Sequence, residues 1–161
     1  MNIINQFSYP LIGFGLLAVA YLMTTRTFKV RWYITTAVQT ALIGLLIGGF
    51  IILRPGQTTV DSVAEALETI GNGRPTFVEF FSNYCSLCLT LKPVVDQIID
   101  EVQDDYNVIQ IDIHSALGRE LRAELGFSFS PEFIVYAANG EELWREHAPP
   151  TVAVLNRLRD G

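Results

Sequence analysis

Cys85 and Cys88 are the only cysteines of the chain, and both stand where an apolar run hands over to a helical pattern. Thr76 to Phe81 is β-prone and broken only by Glu79, Ser82 and Asn83 are turn formers, and from Cys85 onward apolar residues recur at helical spacing. Unpaired amides and partial positive charge at a helix N-terminus favour a thiolate over a thiol, and the thiolate is the reactive form. Two intervening residues put Cys85 at the open end of the helix and Cys88 one turn in, close enough to form a small disulfide ring. Cys85 is assigned as the attacking thiol and Cys88 as the resolving one. A carboxylate in an apolar run is costly to bury without a task or a partner. For Glu79 the expected task is to accept and return the proton of Cys88; a structural acid bonded to backbone or water is the competing reading.

Other chemistry for the cysteine pair is weaker. Zinc normally takes four ligands, and only His114 and His147 could join, neither at ligand spacing. A structural disulfide or two inert buried thiols would not need both residues at a strand-to-helix corner. No metal and no cofactor is therefore expected. His114 and His147 read as surface residues at strand ends.

The stretch from Arg74 to Pro93 resembles the active site of the thioredoxin superfamily. That family carries a buried acid six residues before the first cysteine, as Glu79 stands before Cys85, and a helix-kinking proline five after the second, as Pro93 stands after Cys88. An aromatic residue precedes the first cysteine there, and Tyr84 does so here. Glutamate in place of the usual aspartate makes the segment similar to the tethered thioredoxins of photosynthetic membranes. The resemblance implies a cis peptide between Ser130 and Pro131 beside the cysteines, with neighbouring backbone pairing with an extended substrate segment. Tyr84, Ser130, Pro131 and Glu132 are thus the expected substrate-binding residues. Departures are Ser86 and Leu87 between the cysteines, Glu132 where threonine is usual, Gln110 in place of a lysine near the buried acid, and Ala148 in place of a glycine. Glu132 is expected to repel acidic partners. A copper-delivery role within the superfamily is disfavoured, because such sites space their cysteines more widely and add a histidine.

The elements that position this corner follow from the rest of the chain. Residues 1–58 carry four basic side chains and no acid, whereas 59–161 carry 7 basic and 17 acidic ones, so a +4 segment precedes a −10 segment. An acidic outer domain argues against nucleic-acid binding. Tyr9 to Met23 is uncharged, and with Ile3, Ile4 and Phe7 approaches the roughly 20 residues that span a bilayer. It lacks the basic flank of a secretory signal and reads as a retained helix. Ile34 to Leu53 is a second uncharged span, ended by Arg54-Pro55-Gly56. Arg26, Lys29 and Arg31 between the spans put the connecting loop on the cytoplasmic side, and hence the N-terminus and all that follows Leu53 on the other. Gly44 and Gly48 form a small-x-x-x-small pair that allows close packing, against the first helix or another protein.

Beyond the linker, an amphipathic helix over Asp61–Ile70 precedes the strand Thr76–Phe81 and the active-site helix, which runs to about Val102 with Val94, Val95, Ile98 and Ile99 inward. A strand over Asn107–Ile113, a helix over Ser115–Leu125, a hairpin of Glu132–Ala137 with Glu142–Glu146, and a last helix over Thr151–Arg159 complete the order. The expected architecture is α/β: residues 59–161 form a thioredoxin-like fold, a central mixed sheet flanked by helices and lacking its first strand, preceded by a two-helix transmembrane anchor in residues 1–58.

The expected function is membrane-tethered thiol-disulfide exchange with extracytoplasmic proteins, in the periplasm or a lumen. Protein thiols and disulfides are the substrates, and by analogy a membrane thiol transporter supplies electrons. The alternative is an accessory or structural subunit of a larger membrane complex, electron-transfer or photosynthetic, docked through the Gly44/Gly48 face with a vestigial or regulatory domain.

Overall fold

A computed structural model describes residues 6–53 and 56–160. Ile3 and Ile4, which lengthen the first apolar stretch, and the Arg54–Pro55 helix stop lie outside the described residues. Two long helices open the chain: α1, Ser8–Leu22, extended by a π-helical turn over Met23–Thr27, and α2, Trp32–Leu53. Both are long and apolar enough to cross a membrane. The first outruns the expected end at Met23, and over that extension Thr24 and Thr25 turn their hydroxyls back onto the Ala20 and Tyr21 carbonyls. Arg26 therefore sits on the helical extension and not in a loop.

The two helices meet through small-for-large contacts. Gly13 lies under Leu46, Gly49 under the Tyr9 ring, and the Gln39 amide donates to the Leu17 carbonyl at 3.1 Å. Gly44 and Gly48 take no part, since a Cβ built at either meets nothing within 4 Å. Of the two expected uses of that pair, packing onto the first helix is thus not the one found.

The remainder follows the expected order: α3 Val63–Thr69, β1 Thr76–Phe81, α4 Ser86–Val102, β2 Asn107–Asp112, α5 Ala116–Glu124, β3 Glu132–Tyr136, β4 Glu142–Glu146 and α6 Val152–Asp160. The helix α3 is shorter than Asp61–Ile70 because Ser62 caps it, accepting the Glu65 N–H while the Glu65 carboxylate accepts the Asp61 N–H. The sheet order is β2-β1-β3-β4, with β2 parallel to β1 and the other neighbours antiparallel. On the outer side of β2, where a first strand would lie, Thr58 and Thr59 bond its backbone at Asp112 and Gln110.

Alternation along β1 divides the core in two. Val78 and Phe80 join Ile109, Ile111, Ile134 and Leu121 on the face covered by α3 and α5. Phe77 joins Phe133, Val135, Val95, Ile98, Val102 and Leu155 under α4 and α6, with the Phe77 and Phe133 rings stacked at 6.1 Å. Burial on both faces explains why β1 reads as a continuous apolar run. Glu79 and Phe81 continue the Phe77 face, which places Glu79 below α4. Val94, expected to face inward, is 49% exposed; the buried stripe of α4 is Leu89, Val95, Ile98 and Val102.

Gly118, in the first turn of α5, is pressed against the end of β2. An alanine Cβ there would stand 2.0 Å from the Asp112 carbonyl oxygen. Gly118→Ala is accordingly expected to destabilise the fold by about 3 kcal/mol, the upper range for overpacking a core. The check is the thermal midpoint in detergent, with Gly15→Ala as a control at a position with nothing within 4 Å.

Candidate active site

The corner between β1 and α4 carries the cysteines. Ser82 to Cys85 form a tight turn in which the Cys85 N–H donates to the Ser82 carbonyl at 3.1 Å. Cys85 is the N-cap residue of α4, in extended backbone, and its sulfur accepts the Cys88 N–H at 3.5 Å. A thiol thus fills the place usually held by serine or aspartate at a helix start. Both cysteines are reduced, and they cluster with Phe81. Cys85 is 0% exposed. Its sulfur lies 4.0 Å from the carbonyl oxygen of Ser130, and the Ser130–Pro131 peptide is cis.

The two thiols are pushed apart in acidity. The Cys88 thiol bonds to the Cys85 sulfur, which outweighs burial, and with the Cys88 and Leu87 N–H groups it draws Cys85 down from 9.0 to about 6. Cys88 is driven strongly upward, first by that same bond, then by burial and the nearby Cys85 and Glu79 charges. One sulfur is therefore mostly thiolate at neutral pH and the other holds its proton.

Glu79 is 4% exposed. The strand register sets it opposite Gln110, whose Nε2 donates to Glu79 Oε2 at 2.7 Å. Burial raises its carboxyl from 4.5 to about 7, against the lowering effect of Gln110. The position that resembles a lysine site in the family is thus a neutral amide partner. Such an acid can take a proton and give it back near neutral pH.

Glu132 does not sit as expected. Its side chain is 1% exposed and turned inward, accepting the Ser128 hydroxyl at 2.8 Å, with Arg145 at 3.3 Å. A paired, buried carboxylate offers no charge to an arriving partner, so repulsion of acidic proteins is not its role. It ties down the loop that leads to Pro131. His147 joins that loop, one ring nitrogen 2.9 Å from the Pro131 carbonyl oxygen and its ring stacked on Phe129 at 3.6 Å.

Several neighbours escaped the linear reading. The Ser82 hydroxyl is fully buried, meets the Tyr84 N–H at 3.1 Å, and lies 3.0 Å from His114 Nε2. His114, expected at the surface, instead sits edge-on to Tyr84 at 5.5 Å. The parallel register pairs Phe81 with Asp112 and the Ile113 N–H donates to the Phe81 carbonyl at 3.0 Å, so the chain leaving β2 runs alongside the turn after β1 and brings His114 within reach of Ser82. Asn83 clasps the linker, donating to the Gly56 carbonyl at 2.8 Å and accepting the Gly56 N–H at 3.2 Å. From the anchor, Gln6 to Tyr9 lie along Ser82 to Ser86, and Phe50 stacks on Tyr84 at 5.8 Å.

Comparison with known proteins bears on this arrangement. A family model described as Thioredoxin matches residues 57–153. The chain is 30% identical over 90 residues to the thioredoxin-like protein HCF164, chloroplastic, of Arabidopsis thaliana, covering 54% of this chain and 34% of the plant protein. It is 30% identical over 71 residues to a thioredoxin of Pyropia yezoensis, covering 44% of this chain and 64% of that protein. The chain spans about a third of the length of the plant relatives it matches, 34% and 29%. Among solved structures, a thioredoxin from Trypanosoma brucei brucei superposes with a TM-score of 0.52 at 18% identity, over 65% of this chain and 88% of that one. One from Malassezia sympodialis gives 0.51 at 17% identity, over 62% and 84%. At such identities the superpositions speak for the fold alone.

Two titrations test the electrostatics. Alkylation of Cys85 is expected to rise with pH through about 6 and then level off; a midpoint near the ordinary 9.0 contradicts stabilisation of the thiolate by the Cys88 thiol and the first-turn N–H groups. The folded value of Glu79 lies above its ordinary one, so its contribution to stability is full below 4.5 and is lost as pH rises through about 7. Glu79→Gln is expected to stabilise the reduced fold by roughly 3 kcal/mol at about pH 8 and to change it little at about pH 4. Denaturant melts at the two pH values read the difference.

Proposed function

The chain belongs to the thioredoxin family, and on that premise we propose that it is a membrane-tethered thiol-disulfide oxidoreductase working on extracytoplasmic proteins. The observation that carries this reading is the Cys85 sulfur at the helix cap, its pKa drawn down to about 6 beside a Cys88 thiol that stays protonated. The Cys85 thiolate attacks a protein disulfide, a mixed disulfide forms, and one substrate sulfur leaves as a thiolate that takes a proton from solvent water. Cys88 passes its proton to Glu79, and its thiolate attacks the Cys85 sulfur. The second substrate sulfur leaves, taking that proton. The substrate has gained two electrons, and Cys85 and Cys88 are joined. The reverse sequence oxidises a dithiol.

Residues 1–58 serve as the anchor and 59–161 as the redox domain. Two apolar helices at the N-terminus and the cations Arg26, Lys29 and Arg31 near their junction support an anchor whose connection lies in the cytoplasm. The domain then faces the periplasm or a lumen, where cytosolic reductant does not reach. A membrane thiol transporter would return the electrons. Backbone at Ser130 and Pro131, beside the Cys85 sulfur, would pair with an extended substrate segment, and Tyr84 would border it.

A second reading, an accessory subunit of a larger membrane complex, draws on the face of α2 at Gly44 and Gly48, which meets no other described residue. It predicts that the chain purifies in fixed ratio with one complex and that replacing both cysteines by serine leaves that complex intact.

Exchange makes the opposite prediction. In intact membranes Cys88→Ser is expected to accumulate disulfide-linked partners that thiol reductant releases, whereas Cys85→Ser gathers none. Non-reducing gels read the outcome. Absence of adducts with Cys88→Ser would remove the catalytic reading, and failure of a membrane-impermeant thiol reagent to reach reduced Cys85 in intact cells would remove the orientation.

A further inference from the structure

The anchor does more than hold the domain near a membrane: it touches the redox corner residue by residue. The Gln6 carbonyl accepts the Ser82 hydroxyl at 3.1 Å, the Tyr84 carbonyl accepts the Tyr9 N–H at 3.0 Å, and the Ser8 hydroxyl accepts the Ser86 N–H at 2.9 Å. The Tyr84 ring packs against two anchor rings, Phe7 at 5.7 Å and Phe50 at 5.8 Å, both stacked. The aromatic residue that borders Cys85 is therefore held by both anchor helices while 39% of it stays exposed, and the anchor occupies that flank of the corner. Cys85 itself is fully buried, and Leu87 and Phe129, which no anchor ring stacks against, are exposed.

We propose that the anchor forms one wall of the dithiol site and sets which disulfides reach Cys85, admitting small or extended disulfides past Leu87 and Phe129 and excluding globular ones. Phe7 and Phe50 act through Tyr84 and are positioning residues; Ser8 pins the segment that carries Phe7. The physical basis is steric. A convex protein surface must bring its disulfide to a sulfur with no exposed area, and with Tyr84 clamped the corner cannot widen on the anchor side. A narrow chain or a small molecule needs only the gap on the other side.

This proposal rests on the exchange reading, and its test separates the two. Reduced full-length protein in nanodiscs is given hydroxyethyl disulfide or insulin, and initial rates are compared for the wild type, the double variant Phe7→Leu with Phe50→Leu, and Ser8→Ala. Leucine keeps the apolar volume in the membrane region but removes the ring stacks. The ratio of insulin to small-disulfide rate is expected to rise about tenfold in the double variant, the size expected from losing two aromatic pairs. A smaller rise in the same direction is expected for Ser8→Ala, which leaves the rings in place. A merely destabilised chain would lose both rates together and leave the ratio unchanged. An unchanged ratio in both variants overturns the wall while leaving exchange intact. Reduction of neither disulfide by the wild type would sink the exchange reading, and this proposal with it.

Discussion

Taking the Cys85 sulfur wholly out of water would ordinarily return its proton, because burial penalises the charged form. Here the opposing interactions are larger. The sulfur caps α4, accepting N–H groups of the first turn and the Cys88 thiol, so the helix end and the second cysteine together outweigh desolvation. That balance requires the turn Ser82–Cys85 to be held in one geometry. Strand β1 supplies the hold from below through Phe81, and the Ser130–Pro131 loop supplies it from the side.

The same requirement explains why so much of the molecule converges on the turn around Cys85. Ser82, Asn83, Tyr84 and Ser86 each take a partner from the anchor or linker, at Gln6, Gly56, Tyr9 and Ser8. Loops carrying reactive groups are usually the least stable parts of a fold, opening locally at little free energy. Bonds to two separate elements raise the free energy of such opening here. The N-terminal end of α1 and the C-terminal end of α2 lie together beside this corner, through Tyr9, Phe50 and Tyr84.

What could be read from the chain was whatever is periodic or local. The apolar run of β1, the apolar stripe of α4, the Ser115 cap, the Asn139-Gly140 hairpin and the two uncharged spans depend on neighbours a few residues away, and each element appeared near its expected bounds. The cysteines and Glu79 were legible because their spacing along strand and helix fixes their relation. Contacts between distant segments were not. Phe7 meets Tyr84 across 77 positions of chain, and no period announces that. Glu132 misled for a different reason: a charged residue after a proline reads as exposed, and its burial is offset by Arg145, delivered by the partner strand of the hairpin, together with the Ser128 hydroxyl. Val94 misled through phase, since both it and Val95 suit an apolar stripe and only the tilt of α4 on the sheet decides between them.

Gln110 has the widest consequence for the proposed chemistry. A lysine there would place a full positive charge against Glu79 and hold it ionised well below neutral pH. A neutral amide lowers the carboxyl only slightly, so burial dominates and the value stays near 7. Charge on Glu79 also pushes the Cys88 thiol upward, which at first sight opposes forming the resolving thiolate. Moving the proton from Cys88 to an ionised Glu79, however, exchanges one buried negative charge for another and creates none. The step then avoids the main cost of ionising a group in an apolar core. Under the proposed exchange, burial of Glu79 beside an uncharged partner would let proton transfer proceed beneath a helix where an isolated thiol would not ionise.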